Sequence, residues 1–209
     1  GSGGAVWGAN AVNGVINVVT KKASATTGGV ATAGTGTLDN GTGSIRYGAS
    51  RGALAFRAYS QWSSHGETRL DGRDAGDDWT SLVHGVRTDW SRGRDAVTVS
   101  GSWHSDELHP LATILPSLHG PMFFGGDGNV SNSHVLALWQ RSTGRGGSLQ
   151  VQSFASRWRR GDAGVAHDNT NTYDVDVSYH APAMGRHDVV LGGGYRSSDI
   201  SATNSFFYT

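Results

Sequence analysis

The side chains able to do chemistry fall into four groups. His104, His109 and His119 lie in or beside what reads as the longest loop, and imidazole suits transition metals and haem iron. No two stand at i, i+4 spacing, so they read as solvated loop histidines. Asp74, Asp77 and Asp78 offer the oxygen ligands that calcium takes. They lack the full EF-hand spacing, and the reading is a solvated acidic loop. Asp174 and Asp176 alternate onto one face of a strand, as a carboxylate pair or as part of a wet surface. Arg157, Arg159 and Arg160 sit near a strand end, suited to an anionic ligand, to the anionic surface of lipopolysaccharide, or to a solvated rim. No nucleophile elbow, P-loop or metalloprotease helix occurs. The sequence therefore nominates no catalytic residue, no metal ligand and no cofactor, and an enzyme is not expected.

Composition narrows the class. The 209 residues include 32 Gly, 4 Pro and no Cys, with 17 basic and 17 acidic side chains. A balanced charge gives no global field for nucleic acid, and the lack of Cys removes disulfides and thiolate metal sites. No apolar run approaches the roughly 20 residues of a spanning helix. No signal peptide is visible at Gly1-Ser2-Gly3-Gly4; an export signal would lie upstream. The 36% hydrophobic content fits a sheet with one apolar and one polar face.

The elements that must position these groups are strands. Thr27 to Thr37 reads as a first strand and Leu38-Asp39-Asn40-Gly41 as a turn, because Asn-Gly is a strong hairpin signal. Ile45, Tyr47 and Ala49 then alternate with polar residues, as do Leu54, Phe56, Ala58 and Trp62 after a turn at Ser50-Arg51-Gly52. A polar segment, Ser63 to Asp78, follows. Leu82, Val86 and Trp90 resume the pattern, and after a turn at Ser91–Asp95 come Val97, Val99, Gly101 and Trp103. A long loop is expected from Ser105 to Asn132, a strand from His134 to Arg141, a turn from Ser142 to Gly147, and a strand from Leu149 to Trp158. A polar loop, Arg159 to Asn169, leads to the strand with Tyr173, Val175, Val177 and Tyr179. After a turn at Ala181–Arg186, Val189, Leu191, Gly193 and Tyr195 form the last clear strand.

Two regularities favour a membrane barrel. Apolar faces end in Trp62, Trp90, Trp103 and Tyr195, as interfacial aromatic girdles do. Connections near Arg51, Arg92, Gly144 and Ala183 read as short, and those near Gly72, Pro116 and Gly164 as longer, the pattern of periplasmic turns and external loops. The expected fold is all-β: an antiparallel up-and-down transmembrane β-barrel, incomplete, with about nine strands in an open curved sheet. Barrels with a plugged lumen have about 22 strands.

One stretch carries a specific motif: Trp7-Gly8-Ala9-Asn10-Ala11-Val12-Asn13-Gly14-Val15-Ile16-Asn17-Val18-Val19-Thr20-Lys21-Lys22. Its β-branched run favours a strand, Asn17 needs a partner inside it, and glycines punctuate the approach. By these properties alone it equally suits a strand of a soluble β domain. Gly1-Ser2-Gly3, then Trp7, Gly8, Ala11, Gly14, Val15, Ile16, Asn17 and the closing Thr20-Lys21 resemble the end of the plug domain of TonB-dependent outer-membrane receptors.

The resemblance implies that residues 1–24 end a plug domain, its last strand included, and that residues 25–209 begin the barrel, with chain missing at both ends. It implies a bacterial outer-membrane location and active transport of a scarce ligand, foremost a ferric siderophore. Cobalamin, haem, nickel complexes and carbohydrates are the family's other cargoes. The implied partners are the inner-membrane TonB complex, through a segment absent here, the small ligand, and outer-membrane lipid, with no nucleic acid. Gly8 and Gly14 would shape the turn, and Asn17 would fix the strand in the lumen. The alternatives are a passive porin-like or structural barrel and a soluble β-rich binding domain.

Overall fold

The computed structural model describes residues 18–109, 113–117, 120–124, 126–162, 166–182 and 185–203. Of the motif residues, Val18, Val19, Thr20, Lys21 and Lys22 are among them; Trp7, Gly8, Ala11, Gly14, Val15, Ile16 and Asn17 lie outside the described residues.

The described chain is all-β. A short 3-10 turn at Ala23–Thr26 precedes β1 (Gly28–Gly34), β2 (Asp39–Arg51), β3 (Leu54–His65), β4 (Arg69–Leu70), β5 (Arg73–Asp74) and β6 (Trp79–Arg92). Then follow β7 (Asp95–Leu108), β8 (Thr113–Ser117), β9 (Gly120–Phe124), β10 (Gly128–Ser142), β11 (Ser148–Asp162), β12 (Ala166–His180) and β13 (Val190–Thr203). Nine strands form one antiparallel sheet in the order β1-β2-β3-β6-β7-β10-β11-β12-β13. Each pairs with its sequence neighbour among the long strands, so the connectivity is up-and-down, and β1 and β13 are the two edges. The pairs β4–β5 and β8–β9 form separate two-stranded hairpins.

Register sorts the side chains into two faces. Tyr47 pairs with Ala58, Ala58 with Val86, and Val86 with Gly101. The row continues through Val135, Ala155 and Tyr173. A second row joins Leu54, Trp90, Val97, Trp139, Val151 and Val177. This face is apolar and uncovered: Tyr47 and Val86 are both 57% exposed and Tyr173 is 60% exposed. Among the described residues the buried hydrophobic side chains are Ala23 and Ala55. Covering a large apolar side chain is worth ~1.5–3 kcal/mol, and apolar patches of this extent mark a contact surface.

The apolar face is a band with limits. Along β3 it runs from Leu54 to Trp62, roughly 27 Å at about 3.4 Å per residue. Its upper boundary steps down across the register, from Trp62 and Leu82 to Trp103, then to Val135, Ala155 and Tyr173, and finally to Tyr195. Above it the same face turns polar, with Ser131, Ser133, Arg157, Arg159, Asn169 and Asn171. The opposite face carries Arg46, Arg57, Arg87, Asp89, Thr98, His104, Gln152, Asp174 and Asp176.

Several expectations are corrected. Asn40-Gly41 is not the first turn. The ladder passes from Asp39↔His65 to Gly41↔Ser64, so Asn40 is an extra residue in a β-bulge. The connection is Thr35–Leu38, where the Gly36 amide donates to the Asp39 carbonyl at 2.9 Å. β1 ends at Gly34 rather than Thr37. The expected loop Ser105–Asn132 is largely strand: β7 continues to Leu108, β10 starts at Gly128, and β8–β9 form a hairpin between them. The expected loop Arg159–Asn169 is also strand, to Asp162 and again from Ala166, and the connection near Gly164 is short. The connection after His180 is longer than its turn signals implied, since β13 begins at Val190. In the two expected long loops the residues read as loop by their polarity, yet backbone pairing continues past the point where side chains stop alternating between apolar and polar. The turns at Gly52 (φ 60°) and Gly93 (φ 63°) are as expected, the left-handed conformation favouring glycine.

Candidate functional site

The site is built where the chain approaches the sheet. Residues 20–27 do not run on as an extension of the strand. Thr20–Thr26 lies against the polar face, and the 3-10 turn packs on β2, β3 and β6. Ala23 is fully buried, and its amide donates to Asp89 Oδ2 at 2.6 Å. Asp89 also accepts from Arg87 Nη2 at 2.8 Å, Arg87 Nε at 3.0 and 3.1 Å and Thr98 Oγ1 at 2.8 Å. Its carboxylate thus joins β6, β7 and the incoming segment.

Three arginines on adjacent strands complete the grip. Arg87 Nη1 donates to Thr20 Oγ1 at 2.8 Å. Arg57 Nη1 donates to the Lys21 carbonyl at 3.1 Å and lies 3.5 Å from Thr26 Oγ1. Arg46 Nη1 donates to the Thr26 carbonyl. Thr26 Oγ1 turns back to the Ala23 carbonyl at 3.0 Å. Gly48 makes room: a Cβ there would overlap the Thr26 carbonyl oxygen and crowd that of Phe56. Sequence reading missed this cluster. The signal was present as arginines at polar-face positions of successive strands, but it needs the register to become visible.

The other nominated groups are placed as follows. On the polar face His104 Nε2 lies 2.8 Å from Asp106 Oδ1 and 3.0 Å from Ser81 Oγ. Both partners meet the same ring nitrogen. A catalytic triad needs the carboxylate on one nitrogen and the serine on the other, and this cluster does not provide it. His109 Nδ1 stands 3.7 Å from Asp78, and His119 lies outside the described residues. Asp74 pairs with Arg69 at 3.6 Å. Asp77 receives the Thr68 hydroxyl and the Thr68 amide, both at 2.6 Å, which hold its carboxyl below the ordinary carboxylate value. The three aspartates thus point to separate partners. Asp174 accepts from Arg196 Nε at 2.8 Å, and it shares the polar face with Asp176. Arg157 and Arg159 rise from the face that bears the apolar band, whereas Arg160 belongs to the other; they do not form one patch. Of the motif's described residues, Thr20 contributes its hydroxyl and Lys21 its backbone carbonyl to the grip.

Compared with family models, curated proteins and solved structures, the chain finds no match.

Proposed function

We propose that this chain is the end of a plug and the adjoining wall of a TonB-dependent receptor. Such a receptor would carry a scarce ligand, foremost a ferric siderophore, actively across a bacterial outer membrane. The observation that supports this most is the path of residues Thr20–Thr26, bound to the polar face by Arg46, Arg57, Arg87 and Asp89. If the sheet closes into a barrel, that face is the lumen, and chain held against it is chain inside the barrel. A passive channel has no need of a segment tied there.

The outward band agrees in dimension. With strands tilted by about 40°, the stretch from Leu54 to Trp62 stands roughly 21 Å tall, near the band of about 25 Å in outer-membrane barrels. Tilt also accounts for the downward step of the band's boundary across the register. In hydrocarbon, sheet edges must be paired, so closure requires further strands on β1 and β13. The ligand would be met by the plug and by the excursions between β3 and β6 and between β7 and β10. The TonB complex would act through the plug.

The test begins with fractionated cells probed by an antibody against residues 63–78. An outer-membrane band whose gel mobility shifts on heating supports the barrel. Uptake of iron-55 siderophores should then stop when a protonophore collapses the proton motive force. A soluble band refutes the reading, and uptake insensitive to the protonophore moves it to a passive porin-like barrel.

A further inference from the structure

The hairpin connections at one end of the sheet share a chemistry. β2–β3, β6–β7, β10–β11 and β12–β13 turn there, around Gly52, Gly93, Gly146 and Gly185, all at positive φ. Arginine stands beside each glycine: Arg51, then Arg92 and Arg94, then Arg145, then Arg186. With Arg141 at the foot of β10, these connections hold six arginines against two carboxylates, Asp95 and Asp188. Both carboxylates are engaged. Asp95 pairs with Arg141 at 3.5 Å and accepts from Trp139 Nε1 at 3.0 Å, and Asp188 pairs with His180. Arg51, Arg92, Arg94, Arg145 and Arg186 are exposed, and among the described residues none of them forms an ion pair. The other end of the sheet has the reverse sign: residues 66–78 carry five carboxylates against Arg69 and Arg73.

The backbone joins these turns into one rim. The Ser91 amide donates to the Ala53 carbonyl at 3.0 Å, and the Ser142 amide to the Arg94 carbonyl at 2.8 Å. These bonds tie the first turn to the second and the second to the third. Ser148 pairs with His180 and carries the ladder to the fourth. Neighbouring hairpins lie two strand spacings apart, about 10 Å, so the cationic row extends over roughly 30 Å. Between the last two turns the rim opens into a depression of about 400 Å³, lined by Arg145, Gly146, His180, Arg186, His187 and Asp188. His180 shares the polar face with Asp174 and Asp176, so the depression opens beside that face and away from the apolar band.

We propose that this rim docks on the cell-wall polymer: a glycan strand bearing peptide stems whose carboxylates recur along its length. This inference rests on the membrane-barrel reading, in which short connections face the periplasm. One stem carboxylate would sit in the depression between Arg145 and Arg186, since guanidinium groups match carboxylate in planar, charge-assisted hydrogen bonds. Further stems along the strand would meet Arg94, Arg92 and Arg51. The occupant is an extended polyanion rather than a small anion because the positive charge continues over every turn of the rim. It is not a folded protein, because the described tip residues offer no aromatic or Leu anchor. It is not lipid, because the tips stand beyond the strand ends and the depression opens beside the polar face.

The experiment uses the full-length protein, extracted in mild detergent and sedimented with purified cell-wall sacculi. The competitors are short-chain phosphatidylglycerol and soluble polyglutamate. The protein should sediment with native sacculi at least about tenfold more tightly than with sacculi whose carboxylates have been amidated. The double variant Arg145→Gln/Arg186→Gln should erase that difference, since hydrogen bonds to charged groups contribute at about this level. Arg157→Gln/Arg159→Gln, at the other end of the strands, should bind as the parent does. Neither competitor should displace the protein at matched charge concentration. Equal binding to native and amidated sacculi, or an unaffected Arg145/Arg186 double variant, overturns the proposal while leaving the barrel intact. Displacement by phosphatidylglycerol assigns the rim to lipid, and displacement by polyglutamate assigns it to acidic peptides; either overturns it too. Labelling of Arg145→Cys by an impermeant maleimide in intact cells would put the turns outside the cell, with the same result. Gel mobility that does not shift on heating overturns the barrel and the rim contact together. Each variant is checked for that heat shift, so a loss of binding is scored only in a folded barrel.

Discussion

Asp89→Ala should release the segment that enters the sheet. Asp89 and Arg87 are 18% and 15% exposed at their side chains, between a surface pair and a buried one. Exposed pairs contribute about 0–1 kcal/mol, whereas breaking a buried pair by removing one partner costs ~3–5 kcal/mol. The variant also strands the amide of Ala23, a fully buried residue, which donates at 2.6 Å to Asp89. Together these place the cost at about 2–4 kcal/mol, equivalent to a rise of about 30- to 700-fold in the detached population. Hydrogen exchange read by mass spectrometry on a peptide covering residues 20–27 measures this directly. Protection there should fall by that factor, while peptides from β7 and β10 keep theirs, since their ladder does not depend on the carboxylate. Asp89→Asn, which keeps one acceptor oxygen, should lose less. Protection at 20–27 unchanged within threefold would refute the assignment of Asp89 as the anchor.

Gly48→Val should detach the same segment by a different route, because its side chain would occupy the position of the Thr26 carbonyl; accelerated exchange at 23–26 with an intact β2–β3 ladder is the expected signature. Asp77 governs the β4–β5 hairpin in a pH-dependent way. Its folded-state value lies below the ordinary 3.8, so its contribution is present above that pH and is lost as the pH falls through the lowered value. Exchange across residues 66–78 should therefore quicken only in strong acid, and Asp77→Asn should remove this acid step; a transition near neutral pH would contradict the reasoning. Trp62, Trp90 and Trp103 carry the apolar band's ends. In brominated lipid their fluorescence should be quenched most by labels near the headgroups, and quenching strongest at the bilayer centre would count against the girdle.

What the sequence disclosed and what it concealed divide along a physical line. Alternation named the long strands and their order, because period-2 patterning survives wherever one face is apolar. It disclosed the facing of Val97, Val99, Gly101 and Trp103 without error. It failed where both faces are polar. β11 beyond Trp158 and the start of β12 look like loop by composition, yet Arg159 pairs with Asn169 and Arg160 with Asp168. Asn40-Gly41 is a sound turn signal in isolation, but the hydrogen bonding of β2 to β3 absorbs it as a bulge. The opposite miss is Asp71-Gly72. Both residues have positive φ, 51° and 78°, and they close the β4–β5 hairpin as a two-residue turn should. The dipeptide was in plain view inside a segment read only as polar. Leu136 and Leu138 fall on the polar face, so hydrophobicity alone did not fix the side of every residue.

The arginine cluster could not have been found from composition, and its energetics explain why it is coherent only with the incoming segment in place. Arg57 pairs directly with Arg87 across β3 and β6, and like charges directly opposite one another destabilise a sheet. Two features offset the repulsion. Asp89 neutralises Arg87 along its own strand. The carbonyls of Lys21 and Thr26 accept from Arg57 and Arg46. Remove the segment and Arg57 faces Arg87 with no acceptor from the incoming chain, so the sheet itself becomes less stable at that point. Segment and sheet thus stabilise each other, and the coupling has a sign. Variants that detach residues 20–26 should also loosen the β3–β6 ladder near Arg57, whereas Arg57→Gln should relieve that ladder even as it weakens the grip. A sheet that merely happened to have its N-terminal residues lying on it would show no such reciprocity.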